Sequence, residues 1–348
     1  MMPAPKPITI VGGGLAGLTL GIGLRQRGIP VTVWEAGHYP RHRVCGEFIS
    51  GRGQDALARL GLSEPLLQAG SVFARTAAFY LSRQGSPVRA LPKPALCLSR
   101  FVADALLAER FRKAGGELRD NARWRGGDCG EGVVRASGRR LQPLEGGSQW
   151  FGLKVHARNV PLEADLEMHG SQTGYVGFCR LGDGEANVCG LFRRSPEKAD
   201  GPQSWRDLLR GLPGTPLRQR MAEAALDESS FCSVAGFSLQ PHRAASRSEC
   251  AIGDALTTIP PVTGNGMSMA FEAAELAIGP LADYSRGDSS WSEATRSVAG
   301  ECDRAFAQRL AWARWLQWMM FTPLLRSWPG FVALHSNFLW RAMFNRTR

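Results

Sequence analysis

The pattern of apolar positions changes period three times along the chain. Ile8 to Val11 is an apolar run. Leu15, Leu18 and Ile22 then recur at helical spacing, and Val31 to Trp34 is β-rich, so residues 7–34 are expected to form one strand, turn, helix, strand unit. A second helix is expected from Asp55 to Leu67. A third is expected from about Arg100 to Ala114, with Phe101, Ala105, Leu106 and Leu107 on its apolar side and Gly115 and Gly116 as its stop. A short strand is read at Val133 and Val134. Beyond a Gly- and Arg-rich stretch the period falls to two. Trp150 to Val155, Ala164 to Met168, Gly174 to Arg180 and Ala186 to Phe192 are expected as short strands, with Gly182-Asp183-Gly184-Glu185 as a hairpin turn. Helical spacing returns from Trp205 to Ala225, broken between Gly211 and Pro216. Cys250 to Asp254 is expected as a short buried strand, Met267 to Ile278 as a helix, and Glu293 to Met320 as a long amphipathic helix.

The chain has 348 residues, long enough for more than one packed region, since single cores stop growing near ~250–300 residues. Hydrophobic residues are 44% and charged residues 21%, an ordinary globular balance. Net charge is +11, from 42 Lys and Arg against 31 Asp and Glu, which favours anionic partners. The basic residues are scattered singly, without zinc-finger spacing or RNA-binding aromatics, so nucleic acid is not expected. Eight Cys without CxxC pairs suit reduced thiols in a cytosol. MMPAPKP runs directly into a strand without the order of a secretory leader, and the stretch from Ala311 to Leu334 is interrupted by Arg314, Gln317, Pro323, Arg326 and Pro329. A cytoplasmic protein is expected.

Gly12-Gly13-Gly14-Leu15-Ala16-Gly17 is a GxGxxG between strand and helix. Its glycines permit the tight turn, the approach of backbone to a pyrophosphate, and close packing of helix on strand. The helix start directs free N–H groups and a positive dipole end at that phosphate. Glu35 closes the next strand ~20 residues on, where a ribose-binding acid belongs, followed by Ala36. Far downstream stand Ala251-Ile252-Gly253-Asp254-Ala255, Pro260-Pro261 and Gly264-Asn265-Gly266-Met267, which a simple NAD fingerprint leaves unexplained.

With these two segments the sequence resembles the flavoprotein monooxygenase and geranylgeranyl reductase superfamily, with halogenases as cousins. The resemblance covers roughly residues 7–280. It implies an α/β fold: a Rossmann-like FAD-binding domain of the glutathione-reductase type, an inserted, mostly antiparallel β-sheet substrate domain, and a C-terminal helical segment. The corresponding division is 1–75, 96–150 and 236–290 for FAD, 76–95 and 151–235 for substrate, and 291–348 for the C-terminal region. It further implies that Asp254 binds the ribitol of FAD and that Pro261 and Gly264 to Met267 lie beside the isoalloxazine ring. Arg43-Val44-Cys45-Gly46 matches the basic-x-Cys-Gly segment of the reductases, with Arg43 as the cofactor contact and Arg41 as the second choice. Arg100, in Ser99-Arg100 with Asp104, would lie by the pyrophosphate; an Arg100–Asp104 helix pair is the plainer reading.

Cys45, Glu47 and Tyr175 are the candidate catalytic residues, as wall groups that orient substrate or move a proton. Ser137-Gly138 stands where the family carries Asp-Gly, and Gly177, Cys179 and Arg180 replace the reductases' aromatic, Phe and Pro. His156 and His169 lack metal-ligand spacing, and neither a GxSxG elbow nor a Walker loop is present. The expected activity is hydroxylation of an aromatic or lipid-like small molecule through a flavin hydroperoxide, with NADPH or NADH as transient electron donor. Saturation of a C=C bond in a lipid or polyketide is the alternative, and a non-catalytic flavin-binding membrane protein a third reading. The Trp-x-Trp-x-Ile type signature of halogenases is not evident. Trp312, Trp315, Trp318, Trp328 and Trp340 crowd an Arg-rich C-terminus, which would pack on the body or touch the inner face of a membrane peripherally.

Overall fold

Two sheets carry the chain. The computed structural model describes residues 4–81, 83–127, 129–139, 149–171, 173–194, 204–236, 243–244, 249–321 and 335–347. Pro323, Arg326, Trp328, Pro329 and Leu334, named above, lie outside them.

The first sheet is parallel. Ile8–Val11 stands at its centre, flanked by Val31–Trp34 and then Glu117–Arg119 on one side and by Val133–Arg135 on the other. Leu15–Arg25 crosses from the first strand to the second. Every residue from Leu15 to Leu24 is buried, because this helix packs between the sheet, the helix Arg100–Lys113 and the helix Gly266–Arg286. An unbroken apolar run such as LAGLTLGIGL belongs to a helix covered on all sides. Gly266–Arg286 runs eight residues past the expected end at Ile278. Pro280 is tolerated inside it, and the stop is Gly287, left-handed at φ +89°.

The second sheet has nine strands among the described residues and is antiparallel except where Leu166–Gly170 pairs with Val72–Leu81. Its order is Ala225–Ala235, Gln149–Arg158, Ala186–Arg194, Gly174–Arg180, Leu166–Gly170, Val72–Leu81, Arg89–Cys97, Phe48–Ile49, with Gln84–Gly85 hairpinned to Val72–Leu81. The Gly182–Glu185 turn forms as expected. Asp183 and Gly184 both have positive φ, the geometry of a type I′ hairpin.

Three expected elements differ. The helix expected from Asp55 to Leu67 is two, Arg52–Arg59 and Ser63–Gln68, because Gly61 turns left-handed between them. Cys250 to Asp254 is not a full strand: Ala251 makes one parallel bridge to Arg135 before the chain coils into a 3-10 turn at Gly253–Ala255. Ala225, expected as a helix end, instead opens the edge strand.

Two C-terminal helices cover the site. Trp291–Phe321 buries Ala294, Val298, Cys302, Phe306, Arg309, Ala313 and Leu316, one stripe at helical spacing. Asn337–Arg346 brings Trp340 and Phe344 against the second sheet. The tryptophan stripe divides: Trp340 is buried, Trp312 is half-buried beside Arg346, and Trp315 and Trp318 are exposed. No helix among the described residues is long and apolar enough to cross a membrane.

Ser99 starts the helix Arg100–Lys113 by accepting the Val102 N–H at 3.3 Å. Ser99→Ala is expected to lower stability by about 1 kcal/mol in urea unfolding, the usual worth of such a cap.

Candidate active site

The first strand ends at Gly12, where φ is +117° and an added Cβ would lie 2.3 Å from the Ala136 carbonyl oxygen. A Cβ on Gly17 would lie 1.9 Å from the Gly12 oxygen. Strand, turn and helix therefore touch through glycine at both points. Gly14 differs from both: it caps the helix without a side-chain partner, and a Cβ there would meet nothing within 4 Å. The free N–H groups of Leu15 and Ala16 consequently face open space, where Gly12, Gly14, Leu15 and Ala16 line one cavity. Gly17 packs behind it.

Glu35 follows the second strand and is buried. One carboxylate oxygen accepts the Gly13 N–H at 2.9 Å; the other accepts Gly37 N–H at 2.8 Å and meets Arg41 at 2.6 Å. Burial alone would raise its pKa, but the Gly37 N–H together with Arg41 and Arg43 holds it below the ordinary value. Beside it Ala36 lines the cavity, and Trp34 packs edge-on against Trp124 at 5.4 Å. Trp124 turns a buried indole N–H toward no acceptor.

The downstream segment closes the opposite wall. Asp254 lines the cavity and accepts Arg139 at 2.8 Å. Pro261, Gly264, Gly266 and Met267 line it as well. Gly264 is left-handed, and a Cβ there would lie 2.1 Å from the Phe48 ring. Asn265, expected among the cofactor contacts, is fully buried behind the wall. Its carbonyl accepts Ser50 Oγ at 3.2 Å and its amide donates to the Thr347 carbonyl, so its polar atoms are spent on holding the scaffold.

Residues 41–47 cross between these walls. Arg43 reaches Glu35 at 3.6 Å and Asp104 at 3.4 Å, and Asp104, wholly buried, takes both arms of Arg100 at 2.8 Å. Arg100 thus forms the helix pair and lines the cavity at once. Cys45 sits against Arg100. Burial pushes its thiol pKa up and Arg100 only opposes this, so Cys45 stays protonated.

Glu47, expected on the substrate wall, lines the cavity, and its carboxylate is tied to neighbouring groups there. Its residue surface is entirely buried and its backbone is left-handed at φ +60°. The carboxylate accepts the Arg100 N–H at 2.8 Å and His156 Nε2 at 2.7 Å, with Lys154 Nζ at 3.5 Å. Lys154, fully buried, also stands 2.9 Å from His42 Nδ1. An ammonium has only donors, so that nitrogen accepts and His42 is neutral; burial, with Lys154 and His156 beside it, pushes its pKa down to about 4. Sequence reading missed Lys154. Gly152, Lys154 and His156 occupy alternate positions of one strand, a polar face that period-two analysis shows once the strand is drawn to Arg158.

The same cavity continues, at about 1080 Å³, into an apolar end lined by Phe79, Leu91, Met168, Tyr175, Leu191, Met320, Trp340 and Phe344. Tyr175 is buried beside Trp150 and Leu191, and burial keeps its phenol protonated. Arg89 lines this end too, a second residue that sequence reading missed.

Residues 10–48 match the family model of the NAD(P)-binding Rossmann-like domain. No curated protein matches the sequence. Among solved structures the chain is similar to the flavin-dependent brominase Bmp2, at TM-score 0.75 and 16% identity, covering 98% of this chain and 92% of the other. It is similar to PqsL of Pseudomonas aeruginosa in complex with 2-aminobenzoylacetate, at TM-score 0.71 and 17% identity, covering 95% and 99%. Halogenase PltM in complex with phloroglucinol and FAD follows at TM-score 0.70 and 17% identity, covering 97% and 79%. These likenesses establish the shared fold: a Rossmann-like unit, a mostly antiparallel sheet and C-terminal helices.

Proposed function

We propose that the chain is an FAD-dependent monooxygenase that hydroxylates a small aromatic or otherwise apolar substrate with electrons from NADPH or NADH. The observation that carries this reading is the continuity of one cavity from the Gly12–Gly17 turn to the aromatic end beneath the C-terminal helices. Its volume of about 1080 Å³ lies just above the ~300–1,000 Å³ of single-ligand sites, suiting a cofactor together with a substrate. The residues fit a flavin dinucleotide. Gly14 and Gly266 leave a cradle that a Cβ would fill, Trp124 offers an unused N–H, and Arg41, Arg43, Arg100 and Arg139 bring positive charge.

In this reading the N–H groups of Leu15 and Ala16 receive the pyrophosphate, with Arg43 and Arg100 neutralising it. Glu35 accepts ribose hydroxyls, Asp254 accepts the ribitol, and Gly264, Gly266 and Met267 back the ring. When bound, the flavin supplies the redox and oxygen chemistry, and the protein supplies orientation and electrostatics. Met320, Trp340 and Phe344 exclude water above the substrate. Tyr175, still carrying its proton, is placed to donate a hydrogen bond to a substrate oxygen. The PqsL and PltM complexes hold small aromatic molecules, which agrees with an aromatic substrate here. The enzyme would work in the cytoplasm, and exposed Trp315 and Trp318 beside Arg314 are the residues a peripheral membrane contact would use.

Purified protein should be yellow, and 18O from labelled oxygen gas should enter the product. A preparation that cannot take up FAD would remove the proposal. Because Cys45 lines the cavity, a double-bond reductase is the second reading; turnover without oxygen that adds two hydrogens would select it. Asp254→Ala is expected to weaken FAD binding roughly tenfold, the loss of one charge-assisted hydrogen bond. Unchanged flavin occupancy after gel filtration would remove the ribitol assignment.

A further inference from the structure

At the apolar end of the cavity one cation has an unused donor. Arg89 opens the strand Arg89–Cys97 and is 8% exposed. Its Nε donates to Asn337 Oδ1 at 3.0 Å, and its guanidinium carbon stands 5.7 Å from the Trp340 ring centroid. These contacts fix the plane of the group from the side of the C-terminal helix. Nη2 is buried and has no acceptor. Among the described residues no carboxylate pairs with Arg89, in contrast to Arg43, Arg100 and Arg139 at the dinucleotide end, each of which meets Glu35, Asp104 or Asp254.

A buried guanidinium without a counter-ion is costly unless something supplies the missing charge. Burial accordingly depresses the pKa of Arg89, with no acidic group acting against it. Arg89 also faces a smaller pocket of about 360 Å³ that it shares with Pro92, Asn337, Trp340 and Arg341, so the anion-seeking group stands where the aromatic end of the cavity adjoins a second opening.

The geometry points to Arg89 as the anchor for a carboxylate on the substrate, making the preferred substrate an aromatic acid held by a two-pronged guanidinium contact. This rests on the monooxygenase reading for the site and adds the substrate's charge to it. The planar fork of arginine matches a carboxylate, and its place over the Trp340 ring, with Nε held by Asn337, pre-orients it. The carboxylate would bind at Arg89 with its aromatic ring among Phe79, Leu91 and Trp340.

The test is calorimetric titration of the full-length protein, with and without FAD, using benzoate, phenylacetate and 3-phenylpropionate, each against its neutral amide. In the wild type at least one acid is expected to bind tenfold or more tightly than its amide. In Arg89→Gln that preference should shrink to within about twofold, with amide binding unchanged. Arg89→Lys should keep part of it. Thermal melts of each variant report whether the Asn337 and Trp340 contacts alone account for the change. No acid preference in the wild type, or a preference that survives Arg89→Gln, would overturn the proposal. FAD uptake measured in the same preparations separates this failure from failure of the flavoenzyme reading, since the acid preference is read on the apo protein too.

Discussion

Gly14→Val is expected to abolish flavin retention while leaving the protein folded. Gly14 has extended backbone angles that any residue adopts, and a side chain added there meets no protein atom within 4 Å. Folding therefore loses only the ~1 kcal/mol by which valine is a poorer helix cap than glycine. The two new methyl groups enter the space in front of the Leu15 and Ala16 N–H groups, where an anion would be received. A loss of at least ~100-fold in FAD affinity is expected, about 2.8 kcal/mol. Equilibrium dialysis with FAD measures it, and circular dichroism with a thermal melt checks the fold. Gly17→Val provides the contrast. Its Cβ would strike the Gly12 carbonyl at 1.9 Å, so that variant should fail to fold. Wild-type FAD affinity in Gly14→Val would show that the dinucleotide does not lie against this turn.

The fingerprint was readable because its information is local. Gly12, Gly14, Gly17 and Glu35 lie within one strand, helix, strand unit, and the order of apolar periods places each of them. The hairpin at Asp183-Gly184 was readable for the same reason. Arg89–Cys97 was not, because Arg-Ala-Leu-Pro-Lys-Pro-Ala-Leu-Cys has no alternation and two prolines. In the sheet the pairing runs Ala77 to Arg89 and Thr76 to Ala90, then resumes at Ala74 to Ala95. Pro92 and Pro94 fall in the unpaired bulge between, where a missing N–H costs nothing. The anion-seeking Arg89 was lost with its strand. Glu47 presented a different difficulty. Its type and position suggested a wall carboxylate, but its partners Lys154 and His156 are more than a hundred residues away, and only the fold brings them to it.

That buried pairing sets the second large effect: Glu47→Leu is expected to destabilise the protein by about 3–5 kcal/mol. The substitution strands the Lys154 ammonium, fully buried, with the neutral nitrogen of His42 still beside it at 2.9 Å. It also removes the acceptor for the Arg100 N–H, and the left-handed backbone at residue 47 loses contacts that hold it. Glu47→Gln should cost less, since an amide oxygen still accepts from Arg100. The double variant Glu47→Leu, Lys154→Met should regain most of the loss, because an apolar pair of similar volume replaces a buried ion pair at little cost. Urea unfolding of the wild type, Glu47→Leu, Lys154→Met and the double variant gives the coupling energy directly, and strict additivity of the two single changes would refute the pairing. The cluster also predicts the acid limb of stability. His42 must stay neutral to accept from Lys154, so its contribution is complete above the ordinary imidazole value of 6.5 and is lost as pH falls toward about 4. Lys154→Met removes the demand for that neutral acceptor and should flatten the decline between those values.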